Sequence, residues 1–252
     1  MGSPTRFATA ATLTLALFLG ACDKLGDPVS ASGEVPQSTP PGVAASGADV
    51  KSTAAVTAVS RLAVVLDPDL LGVTPAFFDK KAGEPERATE DENTYNIDGC
   101  TVVAHLKGQS VQSIELLLSP TCHADLSRLV QGSKFLVSDK LTFGQFQAIA
   151  GPAQFKSTCL YMCGNAYDPT DDAVIPGFHA NNFMDIVAVT MTAYEAREKW
   201  RQPMVASKGE DYVVNTKFNC DREFDPVARK AFADEKVESL RFGHGLDEYT
   251  CE

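Results

Sequence analysis

Seven cysteines, four histidines and a carboxylate-rich stretch around Asp171-Asp172 are the residues of this 252-residue chain best suited to chemistry. Cys22 stands apart near the N-terminus. The other six are Cys100, Cys122, Cys159, Cys163, Cys220 and Cys251. An even set in an exported chain implies disulfides, and six cysteines allow fifteen pairings. Sequence order favours neighbours: Cys100–Cys122, Cys159–Cys163 and Cys220–Cys251. A disulfide needs Cα atoms about 4.4–6.8 Å apart, whereas residues four apart in a strand lie about 13 Å apart. Cys159 to Cys163 must therefore turn if it is bridged to itself. Zinc ligation fails on spacing, because no close cysteine pair faces a second one and the histidines are scattered.

Among those histidines, His105 lies in a strand pattern, His123 follows a cysteine, and His244 sits between glycines. His179 is the most suggestive, close to Asn165, Asp168, Asp171 and Asp172. That cluster lacks the spacing of a calcium loop, and Asp-Pro-Thr-Asp-Asp is common turn chemistry. No Gly-x-Ser-x-Gly, His-Glu-x-x-His or phosphate-loop pattern occurs. The expectation is a non-enzymatic protein without cofactor or metal. Residues 164–182 form a long predicted loop, and long ordered loops are often functional. Its Tyr167, Asp168, Asp171, Asp172, Phe178 and His179 combine aromatic anchors with acids, a composition suited to protein recognition.

Arg6 precedes a short apolar run from Ala8 to Leu19 that contains no acidic residue. It has the length and charge of an export signal rather than a membrane-spanning helix. Leu19-Gly20-Ala21-Cys22 closes it and resembles a bacterial lipobox. The resemblance implies cleavage before Cys22 and its acylation, with residues 1–21 as signal peptide. The chain is then expected in the bacterial envelope, facing the periplasm and held in the bilayer by acyl chains. Which membrane holds it stays open. Residues 22–52 are rich in Pro, Ser, Gly and Ala and contain no aromatic residue, so they form a flexible tether. About thirty such residues reach roughly 30 Å.

The formal charge is −11, with no basic cluster after the signal. Nucleic acid is therefore an unfavourable partner, and an acidic surface suits a cationic one.

A repeat lies in the middle. Thr74-Pro75-Ala76-Phe77-Phe78-Asp79-Lys80-Lys81-Ala82-Gly83 matches Thr142-Phe143-Gly144-Gln145-Phe146-Gln147-Ala148-Ile149-Ala150-Gly151 as Thr-x3-Phe-x3-Ala-Gly. Both have the signals of a short helix: a threonine cap, Pro75 at the first position or Gln145 in a capping box, and a terminal glycine. Strands are predicted at 95–106 and 111–118, joined by Lys107-Gly108-Gln109-Ser110, and at 155–163 and 183–192. The Gly83-Glu84-Pro85 helix end and the Gly108-Gln109-Ser110-Val111-Gln112-Ser113-Ile114 hairpin resemble the small outer-membrane assembly lipoprotein family (BamE/OmlA). Two such units in tandem, each with a disulfide, are similar to β-lactamase inhibitor proteins. The resemblance covers about 62–192 and implies a sheet that presents one face to another protein, without chemistry of its own.

The expected fold is α+β, with repeats at 53–130 and 131–192. A third segment, 193–252, is read as an extension packed on them and clipped by Cys220–Cys251. Within it, helix is expected at 193–202 up to Pro203, strand at 212–218, and a helix from Asp225-Pro226 that buries Val227, Ala231 and Phe232. The functional expectation is a tethered lipoprotein that binds a protein, a basic hydrolase that it inhibits as an immunity protein would. An accessory role in envelope assembly and a metal-dependent enzyme at His179 are the alternatives.

Overall fold

The structure is a computed structural model that describes residues 60–130, 134–164, 169–179, 184–246 and 248–249. The expectations for Cys22, the tether, Tyr167, Asp168 and Cys251 fall outside these residues.

Two helices carry the repeat motif. Helix α1 (Arg61–Val65) leads into α2 (Pro75–Ala82), where the Phe77 amide donates to Thr74 Oγ1 at 3.3 Å and Phe78 is fully buried. Further on, α3 (Phe143–Ala150) has its full capping box between Thr142 and Gln145. Both helices close on a glycine of positive φ, Gly83 and Gly151.

After α2 the chain forms β1 (Arg87–Ala88), β2 (Glu92–Ile97), β3 (Cys100–Lys107) and β4 (Ser110–Leu117), each antiparallel to the last. The single strand predicted over 95–106 is therefore two. Asp98 and Gly99 lie at φ 53° and 82° between them. Positive φ at both central residues is what a two-residue hairpin needs, and Asp-Gly is a favoured pair there. The short strands β5 (Ala124–Asp125) and β6 (Leu136–Val137) form a separate ribbon. After α3 come β7 (Gln154–Ser157), β8 (Asp171–His179) and β9 (Met184–Thr190). The long loop expected over 164–182 thus contains β8, paired along β9 and β7. The strand predicted to reach Cys163 stops at Ser157, and Cys159–Cys163 closes a turn with Cα atoms 5.6 Å apart. Cys100–Cys122 is also bridged, with a Cα separation of 4.5 Å.

The segment 193–252 departs most from expectation. Helix α4 (Tyr194–Lys208) continues through Pro203, because buried Trp200 and Met204 on either side hold both halves to the core. The predicted strand over 212–218 is instead α5 (Glu210–Val214) and a 3-10 turn at 217–219. Glu210 and Asp211 occupy the first turn of α5, where the helix dipole favours acids. Helix α6 (Asp225–Phe232) buries Ala228 and Phe232, while Val227 and Ala231 are only half-buried. Its N-cap position is Phe224, and Asp225 Oδ1 accepts the Phe155 amide at 3.0 Å.

The tail then supplies β10 (Ser239–Gly243), which pairs antiparallel with both β4 and β9. The sheet order is β1-β2-β3-β4-β10-β9-β8-β7. The tail is thus not an extension packed on the sheet but its central strand. A Cβ built on Gly243 would lie 2.4 Å from Ser113 Cβ, so only glycine permits this approach to β4. The fold is α+β: a large antiparallel sheet, several helices and, among the described residues, the disulfides Cys100–Cys122 and Cys159–Cys163.

One face of the sheet meets the helices. Its core runs from Leu62 through Tyr95, Ile114, Phe155 and Ile186 to Phe242. The Trp200 ring packs edge-on against Phe155, Phe218 and Phe232.

Candidate functional site

Alternation in the paired strands places three cross-strand rows on the opposite face. The first runs Glu92, His105, Ser113, Gly243 and Asp185. The second runs Thr94, Val103, Glu115, Arg241, Val187 and Val174. The third runs Asn96, Thr101, Leu117, Ser239, Val189, Asp172 and Lys156.

The tail after β10 covers only the half built on β8 and β9. Leu246 and Tyr249 pack on Val174, Val187 and Val189. The Leu246 amide donates to Asp185 Oδ2 at 2.8 Å, and Gln112 Nε2 donates to the His244 carbonyl at 3.1 Å. Tyr249 donates its hydroxyl to Asp172 Oδ2, and the Lys156 ammonium sits 4.9 Å from the centre of the Tyr249 ring. On the other half, Glu92, Thr94, Thr101 and His105 are half-buried, while Asn96 and Leu117 are exposed.

A cavity of about 580 Å³ opens between the tail and the sheet, lined in part by His105, Thr170, Asp172, Arg241, Glu248 and Tyr249. Asp172 is 3% exposed, and its Oδ1 has no hydrogen-bond partner among the described residues. Burial pushes its carboxyl up to about 6, and Asp171 and Glu115 push the same way against Tyr249 and Arg241. Arg241 Nε is also buried and has no hydrogen-bond partner among the described residues. Beside it, His105 Nε2 lies 2.7 Å from Glu115 Oε2, and Ser239 Oγ donates to Glu115 Oε1 at 2.5 Å. Burial would raise the Glu115 carboxyl, but His105, Arg241 and Ser239 outweigh it and hold it below the usual range.

Of the residues proposed for recognition, Asp171, Asp172, Phe178 and His179 lie in strand β8 rather than in a loop. Asp171 and Asp172 are neighbours in β8 and so point to opposite faces. Asp171 is buried on the core side, where Arg197 Nε donates to its Oδ2 at 2.8 Å, and burial still raises its carboxyl. Phe178 is half-buried against the core rather than a free anchor. His179 ends β8, seven residues from Asp172 and about 20 Å along the strand. Strand geometry thus places Asp171 and Asp172 at one end of β8 and His179 at the other. No group of three or more His, Cys, Asp or Glu side chains is placed to hold a metal among the described residues.

The residues that do converge were passed over in the sequence. Glu115, Arg241 and Tyr249 come from three distant segments, and a strand at 239–243 was not expected at all. The alternation Ser239-Leu240-Arg241-Phe242-Gly243 was the available signal.

Compared with protein-family models, curated proteins and solved structures, the chain matches none. Geometry and chemistry alone support a functional reading. Among the described residues, no helix is long and apolar enough to cross a membrane.

Proposed function

We propose that this chain is a membrane-anchored envelope lipoprotein that binds another protein across its sheet and holds a basic hydrolase inactive. The observation that carries the reading is the sheet face opposite the helices. Its tail covers the β8–β9 half, while the β2–β4 half keeps a mixed polar and apolar surface with Leu117 39% exposed at its edge. Such a surface, with polar groups around apolar contacts, is the usual composition of a non-obligate protein interface. The chain's charge of −11 favours a cationic partner and speeds encounter with it.

The strand order adds support for the tandem-repeat and inhibitor-like reading. A capped helix followed by three antiparallel strands occurs twice, as α2 with β2-β3-β4 and as α3 with β7-β8-β9. Around β10 the two sets lie in mirrored order. Neither edge invites unspecific strand pairing. β1 has only two residues, and Asn219 occupies the backbone of Ser157 on β7, accepting its amide at 3.0 Å and donating to its carbonyl at 2.9 Å.

The test is capture from envelope and secreted fractions on the full chain with its disulfides oxidised. A basic hydrolase that is retained, inactive while bound and released by salt would support the proposal. Introducing positive charge with Thr101→Lys and Leu117→Lys should weaken that capture. Retention of envelope-assembly proteins instead would move the function to an accessory role. Retention of nothing at low salt would sink the protein-binding reading.

A further inference from the structure

We propose that the cavity beneath the C-terminal tail is a binding site for a neutral polyhydroxylated ligand, a saccharide. The inference does not rest on the protein-binding reading: the cavity lies under the tail and reaches His105, Gln112 and Ser113 at the border of the open half, but not Thr101 or Leu117.

Two buried groups on the cavity wall have hydrogen-bonding capacity that the described residues leave unused. Asp172 Oδ1 accepts nothing, and Arg241 Nε donates to nothing. Native proteins rarely leave such groups unsatisfied, because each costs its full desolvation penalty. One needs a donor and the other an acceptor. A cation would satisfy only Asp172, and an anion only Arg241. A hydroxyl satisfies both, since it donates and accepts. The charges around the cavity agree. Glu115 balances Arg241, and Lys156 lies on the same face as Asp172 and directly across from it. With Glu248 also on the wall, the cavity carries only a slight acidic excess.

Size separates a ligand from a single ordered water. A water occupies about 30 Å³ of liquid, whereas the cavity holds about 580 Å³. That volume lies within the roughly 300–1,000 Å³ of ordinary small-ligand pockets. Threonines line it as well, at Thr158, Thr170 and Thr216, beside the Gln112 amide. Hydroxyls and planar polar groups are the partners that a sugar's ring of hydroxyls can use. The tail also forms a wall, fixed by Leu246 to Asp185 and by Tyr249 to Asp172.

The ligand could be a free sugar or a unit of a glycan strand, and the choice of probes separates them. The full chain is titrated with glucose, N-acetylglucosamine, cellobiose and chitobiose, followed by saturation-transfer NMR and calorimetry. Saturable binding of at least one sugar is expected. Response to a monosaccharide assigns a free sugar or a chain end; response to disaccharides alone assigns a strand. The Arg241 Nε–H resonance should move on the same saturation curve. Asp172→Ala and Arg241→Gln should each weaken binding at least about tenfold, as loss of a hydrogen bond to a charged group does. No saturable binding by the wild-type chain up to about 50 mM, far weaker than a specific site needs, would overturn the proposal. So would a binding curve that leaves the Arg241 resonance unmoved, a readout that does not depend on any variant folding.

Discussion

Replacing Asp172 with asparagine removes a charge from the least hydrated carboxylate on the outer face while keeping its shape. Tyr249 can keep its contact, because an amide offers both an acceptor and donors. The folded carboxyl titrates near about 6, against 3.8 for the ordinary group. A raised folded value means that this group's contribution to stability is fully present below the unfolded value and is lost as pH rises through the folded one. Across that interval of about two units the ionised form costs about 3 kcal/mol, at 1.36 kcal/mol per unit. The charged and titratable groups on the face of Asp172 are Tyr249, Arg241, Lys156 and Glu115, and Asp171 acts on it from the other side of the sheet. They are the same in both proteins, so comparing variant with wild type largely cancels their own titration. Asp172→Asn should therefore stabilise the chain by about 3 kcal/mol at pH 7.5 but only about 0.5 kcal/mol at pH 4. Urea unfolding of both proteins at the two pH values measures this, with unchanged slopes as the check on two-state behaviour. An equal gain at both pH values would refute the burial argument, and a loss at pH 7.5 would show the carboxylate to be better solvated than the structure places it. A confirmed gain would mean that the native chain keeps a costly charge at the cavity, as binding sites often do.

Three further outcomes follow from the packing. Gly243→Ala should destabilise by about 1–3 kcal/mol or more, because the new Cβ meets Ser113 Cβ at 2.4 Å and the Gln112 carbonyl at 2.5 Å; a urea midpoint near wild type would mean that β10 is not seated as described. Arg197→Met should cost about 3–5 kcal/mol by stranding Asp171 in the core, and adding Asp171→Leu should recover most of it, as a double-mutant cycle would show. Replacing Cys100 and Cys122 together by serine should cost about 3 kcal/mol, since the bridge closes a separation of 22 residues; thermal unfolding with and without reductant reports it, and the serine variant should lose that part of its reductant sensitivity.

Local chemistry was legible wherever a short stretch of chain decides the outcome. Thr74-Pro75 and Thr142 with Gln145 specify where two helices start, and the glycines after them specify where they stop, because capping involves only groups within a turn. The same holds for the Gly108-Gln109 hairpin, and for Cys159–Cys163, which four residues can close only by turning. Asp98-Gly99 carried an equally local signal that was overlooked within a continuous apolar pattern.

Tertiary structure alone decided the rest. Pro203 lies inside a helix because Trp200 and Met204 are buried on either side of it, which outweighs the local preference of proline. Residues 212–218 alternate like a strand, yet Val213 and Phe218 bury against the core from a helix and a 3-10 turn, and it is the Asn219 side chain that bonds to the edge strand β7, at Ser157. Asp171 and Asp172 look like one acidic turn, but pairing with β9 sends one to Arg197 in the core and the other to the cavity. Above all, β10 joins the two halves of the sheet across more than a hundred residues of chain from β4. No local pattern encodes that partnership. It arises because β4 and β9 each leave an edge unpaired, and Ser239–Gly243 satisfies both at once with glycine where the backbones come closest. The candidate site follows from that single insertion, since it is β10 that carries Arg241 to Glu115 and lays Tyr249 on Asp172.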